Sequence, residues 1–297
     1  MRNPVTTVAL GAMCIASSGV LVRLADTTPV TVAIYRCLFA LPLLGLITFA
    51  EGRRFGSLPA RSRNLAWIAG IFFAVDLILW HNAIEAVGAG LATVLGNLQV
   101  LLVGFAAWIF LGERPRSTLF AAIPVVLVGV VLISGVTGGA YGENPALGVV
   151  YGIGTSIAYA AFILVLREGA RDLNRVAGPL FHATFVATIA SAAYGVVFGG
   201  VDWNPGWSSL GWLAVLAGTA QVLGWLLISR SLPRLPAAIT SMVLLLQPVG
   251  AMALAAVVLS ERPAPAQLAG AALILVGVVI ATSRQRTQVA EPEGALV

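Results

Sequence analysis

Ten side chains set within apolar stretches carry the chemistry of this chain: Arg36, Asp76, Trp80, His81, Asn97, Gln99, Tyr159, Gln221, Trp225 and Gln247. Arg36 and Asp76 are ionisable, yet long runs of Val, Leu, Ile, Phe and Ala surround them. At mid-bilayer such a group costs roughly 2.5–3.5 kcal/mol to insert, so it turns toward protein or water and marks a candidate site. Trp80 follows Asp76 by four residues and Trp225 follows Gln221 by four, spacings that put each pair on one helix face. A carboxylate beside an aromatic ring suits a ligand with an apolar body and a positive group. The amides can hydrogen-bond an ammonium or a carboxylate, and Trp80, Tyr159 and Trp225 can wall an apolar pocket. This is the chemistry of binding, with Arg36, Asp76 and His81 as candidate coupling or gating groups.

The elements that position these groups are membrane spans. Of 297 residues, 59% are hydrophobic and 10% charged, where a soluble domain carries about a quarter charged. A span needs about 20 largely apolar residues, and ten such stretches occur: 5–23, 30–50, 65–85, 90–111, 118–135, 146–166, 176–199, 209–230, 236–259 and 265–282. The run after Met1-Arg2 resembles a signal peptide, but no small-x-small cleavage site follows it, so it is read as a retained helix. The expected class is an all-α polytopic membrane protein with a disordered cytoplasmic tail, 284–297.

Two copies of one pattern lie 148 residues apart. Gln99 matches Gln247, and Glu113-Arg114-Pro115 recurs as Glu261-Arg262-Pro263, with no gap between the paired positions. A period this long is a domain-scale duplication, giving repeats at 1–140 and 141–283. All 17 basic residues are arginines. With the N-terminus inside, fourteen of them fall on cytoplasmic segments and two, Arg23 and Arg262, outside, which sets both termini in the cytoplasm. Five spans per repeat is odd, so the second repeat enters the membrane inverted, an architecture suited to alternating access around a midplane site.

Depth narrows the candidates. Asp76 lies about 16 Å from the inner side and Arg36 about 10 Å from the outer side at 1.5 Å per residue. Those depths nearly coincide in a ~30 Å core, so the two are expected in one polar region, paired directly or through water. Each has a plain alternative: Arg36 snorkels to the headgroups, Asp76 bonds a neighbouring helix, His81 is a satisfied structural group, and the amides are interhelical glue. Gly148-x-x-x-Gly152 permits close packing, and spans 118–135 and 265–282, almost free of polar side chains, read as scaffold or dimer contact.

Other classes lack their signatures. No P-loop occurs and there is no lysine to complete one; HExxH, CxxC and GxSxG are absent. Cys14 and Cys37 are isolated within apolar runs and read as buried thiols. No enzyme, cofactor or metal is expected. The arginines sit between apolar runs instead of on one face, which excludes a nucleic-acid surface.

Ten spans in inverted halves, Pro29-x6-Arg36 opening the second span, and Glu-Arg-Pro closing the fourth and ninth resemble the EamA family of drug/metabolite transporters. The sixth helix carries the family's aromatic pattern as Ala158-Tyr159-Ala160-Ala161-Phe162, while Cys14-Ile15-Ala16-Ser17-Ser18 in the first does not. The polar, aromatic third helix looks most like the YddG-type exporters of aromatic and other neutral amino acids. The resemblance implies export of small amphipathic metabolites across a bacterial inner membrane, by a monomer or weak homodimer. Efflux of quaternary cations or lipid-linked molecules, and a non-transporting scaffold subunit, stay as alternatives.

Overall fold

A computed structural model describes residues 4–102, 117–133, 141–172, 174–231, 243–244 and 246–282, and their regular structure is helical throughout. A single apolar run in lipid satisfies its own backbone N–H and C=O groups only as a helix. The helices are α1 (Pro4–Ala16), α2 (Ser18–Ala25), α3 (Pro29–Phe55), α4 (Ala60–Val87), α5 (Ala89–Gly96), α6 (Ser117–Ile133), α7 (Pro145–Gly169), α8 (Ala177–Phe198), α9 (Gly206–Leu216), α10 (Trp225–Ser231), α11 (Leu246–Val258) and α12 (Pro265–Thr282). Residues Ala217–Gly224 join α9 to α10 as a π-helix. Among the described residues, six stretches are long and apolar enough to cross a membrane: Pro4–Ala25, α3, α4, α7, α8 and Gly206–Ser231. Four shorter apolar helices accompany them, at Ala89–Leu102, Phe120–Ile133, Leu246–Val258 and Pro265–Ile280. The first Glu-Arg-Pro copy at 113–115, the connection 232–236 and the tail 284–297 lie outside the described residues, as do Arg2, Arg116, Arg284 and Arg286.

Helix limits follow local chemistry. Thr28 caps α3 by accepting the Thr31 N–H at 3.3 Å, with Pro29 at the first helical position. Asn144 does the same for α7 through the Leu147 N–H at 3.1 Å, ahead of Pro145. Between α4 and α5 there is one residue, Gly88, at φ +89°. A side chain there would be strained and would also press on Glu261, whose Oε2 lies 3.0 Å from the place a Cβ would take.

Two pairs of helix starts recur at the 148-residue spacing. Helices α3 and α6 begin at Pro29 and Ser117, and their counterparts α8 and α12 begin at Ala177 and Pro265. Each pair packs together, α3 on α8 and α6 on α12, and α5 packs on α11. Helix α4 lies along α7, while α10 and the π-helix lie along α1. In the Gly148-x-x-x-Gly152 pattern, a Cβ at Gly148 would meet Val87 Cβ at 2.7 Å and one at Gly152 would meet Leu95 Cβ at 2.5 Å. The glycines therefore let α7 close on α4 and α5.

The scaffold reading of spans 118–135 and 265–282 has a specific form, because α6 and α12 pack on each other through reciprocal glycines. A Cβ at Gly129 would lie 2.6 Å from Gly270 O, and one at Gly270 would lie 2.5 Å from Gly129 O. Backbone meets backbone there, so neither side can yield by a rotamer change. Gly270→Ala is expected to destabilise the protein by about 1–3 kcal/mol, read as a lower Tm in detergent. An unchanged Tm would mean that the two helices do not approach this closely.

Candidate functional site

One cavity gathers residues from eight of these helices. Ile15 and Ser18 come from α1 and α2, Arg36 from α3, and Phe73, Asp76, Leu77 and Trp80 from α4. Thr93, Gly96 and Asn97 belong to α5 and its end, Thr155 and Tyr159 to α7, Trp225 to α10 and Gln247 to α11. The backbone is irregular where it borders this space. The first span breaks at Ser17, α5 turns at Asn97–Leu98 before continuing, and the π-helix runs directly into Trp225. Departures from α-helix at membrane depth are tolerated where they face protein or a cavity, and π-turns often mark functional positions.

One wall is aromatic. Phe73 stacks on Phe162 with centroids 4.4 Å apart, and Trp225 stands edge-on to Phe73, Tyr159 and Phe162 at 6.0, 5.9 and 5.1 Å. Charged groups line the same space. Asp76 is 7% exposed and accepts from Thr155 Oγ1 at 2.9 Å, and the same hydroxyl lies 2.8 Å from the Asp76 carbonyl. Arg36 is 3% exposed, with its guanidinium carbon 6.0 Å from the Trp80 ring centre. The two charges share the cavity, as their depths indicated, but no ion pair joins them among the described residues.

Three buried atoms on side chains lining the cavity have no well-formed hydrogen bond among the described residues: Arg36 Nε, Asn97 Oδ1 and Gln247 Nε2, the last set beside the Tyr159 hydroxyl. Buried polar groups are almost always paired, so unmet donors and an unmet acceptor around one space point to a ligand or water. Asn97 uses its other amide atom on the Thr93 carbonyl at 2.9 Å, which sets the oxygen free.

Seven of the ten sequence candidates line the cavity, and three do not. Gln99 is buried, 3% exposed, away from it. His81 and Gln221 stand behind Arg36, bonded to its two terminal nitrogens at 3.3 and 3.2 Å. Sequence reasoning missed Phe73, Leu77, Thr93 and Thr155. Phe73, Asp76, Leu77 and Trp80 follow helical spacing on one face, so extending the Asp76–Trp80 stripe back one turn finds Phe73. Thr155, four residues before Tyr159, was open to the same argument; Thr93 looked like any hydroxyl in an apolar helix.

The second Glu-Arg-Pro copy has a defined role. Glu261 accepts the Ala89 and Gly90 N–H groups at 2.8 and 3.3 Å, placing a carboxylate on the free N-terminus of α5. Glu51 does likewise for α8, accepting from Ala177 at 3.0 Å and Gly178 at 3.1 Å. Among the described residues no cluster of His, Cys, Asp and Glu is built to hold a metal.

Apolar spans around a buried polar and aromatic cavity define a multi-pass helical membrane protein. More narrowly, the chain belongs to the EamA-like transporter family, whose model matches residues 3–135 and 146–283. A protein of Synechocystis sp. described as an uncharacterized transporter is 24% identical over 161 residues, covering 53% of this chain. The match spans about half of that relative, 47% of its length. A solved crystal structure of a protein aligns over 97% of this chain and 100% of its own, with TM-score 0.60 and 20% identity, which establishes likeness of fold.

Thr155 ties α7 to the Asp76 carboxylate, so Thr155→Val leaves a buried acceptor short of a donor. The expected cost is about 1–3 kcal/mol, read as a lower Tm in detergent. Asp76→Asn keeps the acceptor and is expected to lose less. Equal stability of Thr155→Val and wild type would show that the hydroxyl does not hold Asp76.

Proposed function

We propose that the protein is a secondary transporter or facilitator that exports small amphipathic metabolites, with neutral and aromatic amino acids as the substrate class. The observation that carries this reading is the set of unmet polar atoms beside an aromatic wall. A zwitterion needs one cationic and one anionic contact a short distance apart, and Arg36 and Asp76 line the same cavity. Arg36 Nε–H and the Gln247 amide N–H donate to the substrate carboxylate, while Asp76 and Asn97 Oδ1 accept from its ammonium. Trp80, Tyr159 and Trp225, with Phe73, receive the apolar side chain. Likeness of the third helix to the YddG-type exporters points to the same substrate class.

Alternating access is proposed to arise from two inverted five-helix repeats, 1–140 and 141–283, ten spans in all. Matches of the family model to 3–135 and 146–283 support the repeat, as does the packing of α3 on α8, α5 on α11 and α6 on α12 across the proposed repeat axis. The arginine distribution supports cytoplasmic termini in a bacterial inner membrane. In this orientation Glu261 and its cap on α5 lie on the external side.

A second reading, efflux of quaternary cations, draws on Asp76 beside Trp80. Arg36 on the same cavity opposes it, because a lone cation would meet a buried guanidinium. Counterflow in proteoliposomes separates the two. Labelled aromatic and aliphatic amino acids are expected to exchange, and acidic, basic and quaternary-ammonium substrates are not. Arg36→Gln and Asp76→Asn are each expected to lower kcat/KM by more than about tenfold, the order of one charged hydrogen bond. Exchange of quaternary cations without amino acids would replace the reading. Full activity of Asp76→Asn from pH 5 to 8 would remove Asp76 from the site.

A further inference from the structure

Arg36 is held from behind by a chain of buried hydrogen bonds that fixes the protonation of one histidine. Its NH1 lies 3.3 Å from His81 Nε2 and its NH2 lies 3.2 Å from Gln221 Oε1. His81 Nδ1 lies 3.1 Å from the Pro29 carbonyl, and Gln221 Nε2 donates to Thr184 Oγ1 at 3.2 Å. His81, Gln221 and Thr184 are each 0% exposed. A carbonyl oxygen only accepts, so Nδ1 carries a proton; a guanidinium only donates, so Nε2 offers its lone pair. Both contacts therefore specify the neutral Nδ1–H tautomer. The amide of Gln221 is likewise set with its oxygen toward the cation.

We propose that His81 and Gln221 are positioning residues for Arg36, and that His81 serves only while its Nε2 is unprotonated, so that acid releases the guanidinium from the cavity wall. Protonation at Nε2 sets donor against donor and cation against cation in a buried space, and Arg36 cannot stay there. Among the described residues Arg36 is the charged group set against the imidazole. On the same helix, Asp76 is turned to Thr155, and Glu85 is exposed near the charges of Arg23 and Glu143. From the helices packed on α4, the free thiol of Cys37 on α3 is buried next to Arg36, Tyr159 of α7 faces Trp225, and His182 of α8 pairs with Trp67. The inference rests on the reading of Arg36 as the carboxylate contact for its functional consequence, and on geometry alone for the tautomer.

Nitrogen NMR tests the geometry without any substrate. The chain has two histidines, so His182→Asn leaves a single imidazole to observe in protein labelled at histidine. At neutral pH it is expected as the Nδ1–H tautomer, and Arg36→Gln in that background is expected to raise the pH of imidazolium formation by more than about one unit. An Nε2–H tautomer, or a titration that ignores Arg36→Gln, overturns the proposal. Counterflow with equal pH on both sides then tests the consequence. Wild type is expected to show KM rising by about tenfold or more on passing into the imidazolium range, with kcat changed less than about twofold. His81→Gln, which keeps a neutral acceptor for Arg36, is expected to lose the part of the KM rise that follows imidazolium formation, leaving only what protonation of Asp76 adds. A wild-type KM flat through the titration of His81 overturns the positioning role. Absence of all amino-acid exchange, with the tautomer and its Arg36 dependence intact, supports the Arg36–His81 geometry and rejects the substrate class instead.

Discussion

The site depends on keeping one guanidinium at the heart of the membrane-spanning part. A buried cation in a helical bundle is costly unless neighbours supply acceptors, and removing one such acceptor leaves the charge uncompensated. Here the acceptors come from two directions, His81 on α4 and Gln221 on the π-helix, while Arg36 itself is on α3. The Trp80 ring adds a face at 6.0 Å. Satisfying the two terminal nitrogens from behind leaves Nε without a partner. Helices α3, α4 and the π-helix are thereby tied to one point.

The rest of the molecule divides into parts that can be rigid and parts that border the cavity. Helices α6 and α12 meet backbone to backbone at Gly129 and Gly270, and none of their residues lines the cavity. The segments that do line it contain the irregular backbone, at Ser17, at Asn97–Leu98 and over Ala217–Gly224. Carboxylates of Glu51 and Glu261 fix the starts of α8 and α5. These caps offset the free N–H groups of the helix starts where lipid could not.

Much of this was legible in the sequence because the bilayer imposes simple rules. Hydropathy located the helices to within a few residues at most ends: span 265–282 coincides with α12, and 65–85 falls inside α4. Intramembrane charge singled out Arg36 and Asp76, and spacing joined Asp76 to Trp80. What the sequence could not convey was which side of a residue faces the cavity. His81 and Gln221 look like lining groups by type and depth, yet they support Arg36 from behind. A π-helix has no compositional signature in Ala217–Gly224, and it shifts the facing of every residue around Gln221. Thr155 and Thr93 were hidden because a hydroxyl in an apolar helix usually satisfies its own backbone, as Thr93 does with the Ala89 carbonyl.

The central claim is that the cavity recognises a carboxylate and an ammonium together. Its most direct test compares phenylalanine with phenethylamine, which lacks the carboxylate, and 3-phenylpropionate, which lacks the ammonium. Binding to purified protein in detergent, followed by calorimetry and by the rise in Tm, reads all three on one scale. Phenylalanine is expected to bind and stabilise the protein, with each analogue weaker by more than about tenfold, the loss of one charged hydrogen bond. Equal binding of phenethylamine would contradict the account, because a site that ignores the carboxylate has no use for Arg36.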